Sequence, residues 1–243
     1  MAKLAQYLFT ARRVVPAMLA GPLTVGGRAR LAELSRALGW ERERGAWPVR
    51  AIGEVVGGVE PVLIYAPHER QPHNATGFEL ACLAQLARWR RPRRIFEFGT
   101  FDGRSSANLL LNAAPDARLL TINLPPDAFR HGGVEIGECL RAAGLAERTE
   151  QLYGDTLSFD FSPHERQMDL IFIDAGHSYR CVLNDSTRAL GLASQPGALI
   201  VWHDYGQITE VTRAVDDFIV AQRLESRATR IEGTSLLVVD MKR

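Results

Sequence analysis

From residue 76 onward the apolar positions alternate between short unbroken runs and longer stretches with helical spacing. Thr76 followed by Glu79 is a capping-box signature, so ATGFELACLAQLARW predicts a helix starting there. RRIFEFGT is short, rich in β-formers and closed by glycine, which predicts a strand. SSANLLLNAA then predicts a helix, ARLLTINL a strand, VEIGECLRAAGL a helix and TEQLYGD a short strand. MDLIFIDAG is almost wholly apolar, as expected of a central parallel strand buried on both faces. SYRCVLNDSTRALGLA, GALIVWHDY, EVTRAVDDFIVAQRL and SLLVVDM continue as helix, strand, helix and strand. This alternation predicts an α/β fold with a Rossmann-like, doubly wound, mostly parallel seven-stranded sheet. Ligands of such sheets bind at the carboxyl ends of the strands, so chemistry is expected just after IFEFG, LLTIN, YGD, LIFID and IVWHD.

Residues 1–75 have another texture. GPLTVGG, Trp47-Pro48 and Gly57-Gly58 break short helical patterns, and PVLIYAP at 61–67 is a candidate strand. The expected division is an amino-terminal helical extension or lid, residues 1–75, and a ligand-binding domain, residues 76–243. The extension is also the expected seat of any homo-oligomer contact. Arg12, Arg13, Pro16 and Pro22 interrupt the first apolar runs, so the start reads as an amphipathic helix and not as a signal peptide.

Composition narrows the classes. The formal charge of +1 in 243 residues argues against a nucleic-acid or membrane-surface binder. No run reaches the roughly 20 apolar residues that span a bilayer. Cys82, Cys139 and Cys181 are far apart and lack a CxxC pair, which reads as free thiols in a reducing compartment. The expected location is the cytoplasm, and the expected partner is a small molecule.

Glu97, Gly99, Thr100, Phe101 and Gly103 occupy the turn between the first strand of the series and its helix. Gly99 permits a tight turn, and the following helix start offers unpaired N–H groups to an anion, with Ser105 beside them. A dinucleotide loop would read GxGxxG, whereas position 101 is Phe, which would meet a pyrophosphate.

IFEFGTFDGRSS resembles the first motif of class I S-adenosylmethionine (SAM)-dependent methyltransferases. MDLIFIDAGHSYRCVLNDSTRAL and PGALIVWHDYG resemble later motifs of one branch of them. That branch joins small O-methyltransferases akin to catechol O-methyltransferase with metal-dependent sugar methyltransferases. The resemblance runs from near residue 72 to residue 240 and implies SAM as cofactor. It places Glu97, Gly99, Thr100, Phe101 and Gly103 around the methionine moiety, with Ser105 near its carboxylate. The family usually has an acidic residue on the ribose hydroxyls; Asn123 stands there and lacks the charge. Asp155 matches the position near the adenine amino group, though by itself it reads equally as a turn residue.

Methyl transfer to a hydroxyl needs an aligned nucleophile and a base or metal that makes it electron-rich. Asp174 ends the most apolar strand, where an ionised carboxylate needs a partner. His177 lies just beyond it, with a near-neutral ordinary pKa suited to proton abstraction. His203 and Asp204 end the neighbouring strand. The resemblance makes Asp174, His203 and Asp204 the metal ligands and His177 the base. Position 203 is commonly acidic in that family; an imidazole suits Mn²⁺, Fe²⁺ or Zn²⁺ better than Mg²⁺, so His203 stays open as a metal ligand, a second base or a substrate contact, and metal and metal-free schemes both stay open. His68, His73, His131 and His164 read as ordinary residues, and Asp185 as structural. The rival functions are a nicotinamide-dependent oxidoreductase and a catalytically inactive SAM-fold assembly module.

Overall fold

The computed structural model describes residues 47–67, 74–128, 133–194 and 196–242. The expected amphipathic helix near the start, and His68, His73 and His131, lie outside the described residues. The elements in order are β1 (Val49–Arg50), α1 (Ile52–Val56), α2 (Gly77–Arg90), β2 (Arg94–Phe98), α3 (Arg104–Asn112), β3 (Arg118–Asn123) and α4 (Glu138–Ala142). They continue with β4 (Thr149–Tyr153), β5 (Leu170–Ile173), α5 (Tyr179–Leu192), β6 (Leu199–Trp202), α6 (Thr209–Ala221), β7 (Ala228–Ile231) and β8 (Leu237–Asp240).

The sheet runs β1-β7-β8-β6-β5-β2-β3-β4. Pairs β2–β3, β2–β5, β3–β4 and β5–β6 are parallel, while β8 is antiparallel to both β6 and β7. The doubly wound α/β expectation therefore holds, and the strand number changes from seven to eight. Ala228–Ile231 and Val49–Arg50 are the unforeseen strands. Both are short, and their polar Thr229, Arg230 and Arg50 break the apolar run a reader looks for. Residues 47–67, grouped above with the extension, contribute β1 and α1 to the unit that begins at Trp47.

PVLIYAP is not a strand. Its backbone is paired instead by two helix side chains. Asn112 accepts from the Leu63 amide and donates to the Leu63 carbonyl, both at 2.8 Å. Asn108 does the same for Tyr65, both at 2.9 Å. Two asparagines one helical turn apart thus stand in for a neighbouring strand. That leaves Leu63 and Ile64 exposed.

Burial explains the central strands. All four residues of β5 are buried. Ile171 and Ile173 join one core with Phe96, Phe98 and Trp202, and Leu170 and Phe172 join the other with Leu83, Leu109 and Val201. The period of two sends alternate residues to opposite faces, and helices cover both. Carboxyl ends of β2, β3, β4, β5 and β6 are thereby aligned on one edge, where the candidate residues sit. The predicted start of α2 is also found: Thr76 caps it, its amide donating to Glu79 at 2.8 Å while its hydroxyl accepts from the Glu79 amide at 3.2 Å. No described helix is long and apolar enough to cross a membrane.

Candidate active site

The loop after β2 is built around Gly99, whose φ is +93°. A Cβ there would lie 2.1 Å from the Asp174 carbonyl oxygen, so the loops after β2 and β5 touch backbone to backbone. Phe101 also takes a left-handed conformation, φ +48°. Its carbonyl accepts from the Gly137 amide at 2.9 Å, and its amide donates to Asn123 Oδ1 at 3.3 Å. The Asn123 amide group also donates to the Leu124 carbonyl at 3.1 Å. Asn123 therefore serves first to fix the loop, a neutral task that a carboxylate could perform only in part.

Beneath the loop, Glu97 is fully buried and accepts from Ser105 (2.8 Å), Thr121 (3.0 Å) and Ser106. Burial pushes its carboxyl up to about 7, with nearby Asp174 adding repulsion, although the three hydroxyls favour ionisation. Glu97 thus fixes Ser105 and Ser106 at the helix start; its own side chain is not exposed to a ligand.

A cavity of about 510 Å³, within the range of small-molecule sites, opens at this strand edge. Of the residues singled out from the sequence, Gly99, Thr100, Phe101, Ser105, Asn123, Asp155, Asp174 and His177 line it. Glu97, Gly103, His203 and Asp204 do not. Gly103 acts by packing: a Cβ there would lie 3.2 Å from both Gly137 Cα and Leu140 Cγ. The lining also includes Asn74, Asp102, Arg104, Thr156 and Cys181, none of which the sequence marks as a site residue. Asp102 was legible only as a loop residue, yet its carboxylate accepts from the Arg104 amide at 3.0 Å and from Asn74 at 2.5 Å.

One end of the cavity carries an acid–histidine cluster. His177 Nε2 lies 2.9 Å from Asp204 Oδ2 and 3.7 Å from Asp174 Oδ1. Asp174 and Asp204 push the His177 pKa up to about 10 despite burial. His203 lies behind, with Nδ1 3.4 Å from Asp174 Oδ1 and 3.3 Å from Asp204 Oδ1. Its Nε2 faces Glu79 Oε2 at 3.5 Å. Burial opposes charge on His203, but Asp174, Asp204 and Glu79 outweigh it and raise the pKa to about 12. In turn burial penalises Asp174, Asp204 and Glu79, while the two imidazoles hold Asp174 and Asp204, and His203 holds Glu79, below the ordinary carboxylate range.

Asp204 reaches the cluster from a left-handed turn, φ +58°, its amide donating to Ser235 Oγ at 3.2 Å. Glu79 also accepts from the Ser235 amide (2.8 Å) and hydroxyl (2.7 Å). In the sequence Glu79 carries only the signal of a helix cap; its contact with Ser235, 156 positions away, has no local signal.

Asp174, His177 and Asp204 each offer a donor atom within 4.8 Å of the others, a spacing that suits a cation. Both His203 ring nitrogens are buried without a hydrogen-bond partner, and Nδ1 is aimed between two carboxylate oxygens. These donors fit a divalent ion of the nitrogen-tolerant kind.

Residues 96–205 match the family model described as a methyltransferase domain. The chain is similar to the solved O-methyltransferase TomG of Streptomyces achromogenes, involved in tomaymycin synthesis and in complex with SAM. Identity is 27%, the match covers 69% of this chain and 82% of that one, and the TM-score is 0.55. It is also similar to a putative O-methyltransferase from Klebsiella pneumoniae at 25% identity, covering 70% and 83%, TM-score 0.55. An O-methyltransferase from Bacillus cereus in complex with SAH shares the fold at 20% identity, covering 70% and 84%, TM-score 0.56. No curated protein matches the sequence.

The fold, the glycine loop and the domain match over residues 96–205 make the chain similar to class I SAM-dependent methyltransferases. The two solved structures that it resembles at 25–27% identity are described as O-methyltransferases.

Proposed function

We propose that this chain transfers the SAM methyl group to a hydroxyl oxygen of a small polar acceptor. The observation that carries the reading is the continuity of one cavity from the Gly99–Ser105 loop to Asp174 and His177. That arrangement would let donor and acceptor meet in line, which converts an encounter between two molecules into a step within one complex. The new O–C bond forms as the C–S bond of the sulfonium breaks, and S-adenosylhomocysteine leaves.

In this reading Gly99, Thr100, Phe101 and Ser105 surround the methionine end of SAM, with Glu97 and Gly103 supporting them. Asn123 and Asp155 face the nucleoside end. Asp174 and Asp204 orient the acceptor oxygen, and His177 takes its proton. The carboxylates that hold the proton on His177 are the same ones that would coordinate a divalent ion. Mg²⁺ or Mn²⁺ bound by Asp174, His203 and Asp204 would supply Lewis-acid stabilisation of the oxyanion. We place the chemistry in the cytoplasm.

The test is a turnover assay following methyl-labelled SAM with a panel of hydroxylated small molecules. His177→Ala should lower turnover by 10²–10⁴, the usual worth of a general base, and change SAM affinity little. Equal turnover in the two proteins removes His177 from the mechanism.

A further inference from the structure

Glu79 sits outside the cavity but is wired to its chemical end. It is 3% exposed at the first turn of α2, held by the Thr76 amide and by the Ser235 amide and hydroxyl. Its Oε2 faces His203 Nε2 at 3.5 Å, while the other ring nitrogen faces Asp174 Oδ1 at 3.4 Å and Asp204 Oδ1 at 3.3 Å. An imidazole whose far nitrogen keeps its proton toward a carboxylate presents a lone pair at the near nitrogen, the arrangement that orients histidine ligands of metals. Ligand atoms about 2.1 Å from one metal stand roughly 3.0–3.4 Å apart, from octahedral to tetrahedral angles. The two Nδ1–oxygen separations fall at the upper edge of that range. His203 is buried against these three carboxylates, and neither ring nitrogen makes a well-aligned hydrogen bond.

We propose that Glu79 is a positioning residue that fixes His203 with Nδ1 toward Asp174 and Asp204, creating a site that prefers Mn²⁺ or Zn²⁺ to Mg²⁺. The preference follows from the donor set: hard Mg²⁺ demands oxygen, whereas imidazole nitrogen suits Mn²⁺ and Zn²⁺. In this scheme His177, half exposed on the cavity side and 2.9 Å from Asp204, serves the acceptor and not the ion. The inference rests on the reading of Asp174 and Asp204 as the acceptor-site carboxylates.

The experiment is calorimetric titration of the full chain, stripped of metal, with MnCl₂, ZnCl₂ and MgCl₂ separately. Wild type should bind Mn²⁺ and Zn²⁺ more tightly than Mg²⁺. Glu79→Gln should weaken Mn²⁺ binding about 10- to 100-fold, the usual cost of losing a partner that orients a ligand.

A second measurement does not depend on Glu79→Gln folding. Nitrogen spectra of zinc-loaded, histidine-labelled wild type should show His203 bound through Nδ1 with Nε2 protonated, and His177→Ala should keep that signal. Mg²⁺ binding as tight as Mn²⁺, unchanged affinity in Glu79→Gln, or a zinc-bound Nε2 each overturns the proposal. SAM binding and methyl transfer are measured in the same preparations. Their persistence without metal affinity sinks this inference alone, whereas loss of SAM binding in wild type sinks the functional reading.

Discussion

Gly99 and Asp174 meet through their backbones, and neither can change independently. Gly99→Ala would place a methyl group against the Asp174 carbonyl and force an L residue to φ +93°. Backbone strain of this kind costs about 1–3 kcal/mol before any relaxation of the clash. Thermal unfolding should show the loss, and SAM affinity should fall at least about tenfold as the loop shifts. An unchanged affinity would mean that the loop does not hold the donor.

Glu97 gives a second residue-scale prediction. Its folded pKa, about 7, is raised above the ordinary 4.5, so its ionised form is disfavoured by folding. Stability contributed by this group is greatest below pH 4.5 and declines as pH climbs through 7. The decline is on the order of 3 kcal/mol. Glu97→Gln should lack it, so denaturant titrations at acid and alkaline pH should differ less in the variant than in wild type. A variant with the wild-type slope would show that Glu97 is not the group responsible.

At the scale of elements, α3 does more than follow the glycine loop. Its Asn108 and Asn112 hold the 61–67 segment in an extended line. Asn112→Ala removes two hydrogen bonds to Leu63 and one to the Asn108 carbonyl, each worth about 0.5–1.5 kcal/mol. Stability should drop by about 1.5–4.5 kcal/mol, and amide exchange should quicken at Leu63. Protection unchanged there would contradict the pairing. This segment also marks the limit of periodicity as evidence. PVLIYAP has the composition of a strand, but its partners are side chains from residues some forty positions later. The short strands Val49–Arg50 and Ala228–Ile231 were invisible for the converse reason: their pairing, not their composition, makes them strands. By contrast β2, β3, β5 and β6 were legible because burial on both faces leaves only apolar residues.

The candidate site divides the same way. Gly99, Asp174 and His177 were legible because each lies at or just past a strand end, and Ser105 because it opens the helix after the glycine loop. Glu79, Ser235 and Asn74 were not, since their place depends on how remote turns fold against that edge. Asn123, read as a weak ribose ligand, also proved to be the residue that ties the β3 end to Phe101.

For the whole molecule, the buried cluster sets the pH profile of stability. His177 and His203 are raised above their ordinary value, so their contribution is whole below about pH 6.5 and is lost as pH rises toward 10 and 12. Asp174, Asp204 and Glu79 are lowered, so theirs is present above the ordinary carboxylate range and is lost in acid. Stability of the metal-free chain should therefore peak near pH 5 and fall steadily to alkaline pH, more gently in His203→Gln. A flat profile between pH 5 and pH 9, read from melting temperatures, would contradict this charge arrangement.

The proposed methyl transfer depends on the cavity at the strand ends holding one donor. Calorimetric titration of the full chain with SAM tests that most directly. The account predicts one SAM bound per chain, displaced by S-adenosylhomocysteine and weakened in Gly99→Ala. Absence of SAM binding by the folded wild type, or tight NADH binding in its place, would contradict it.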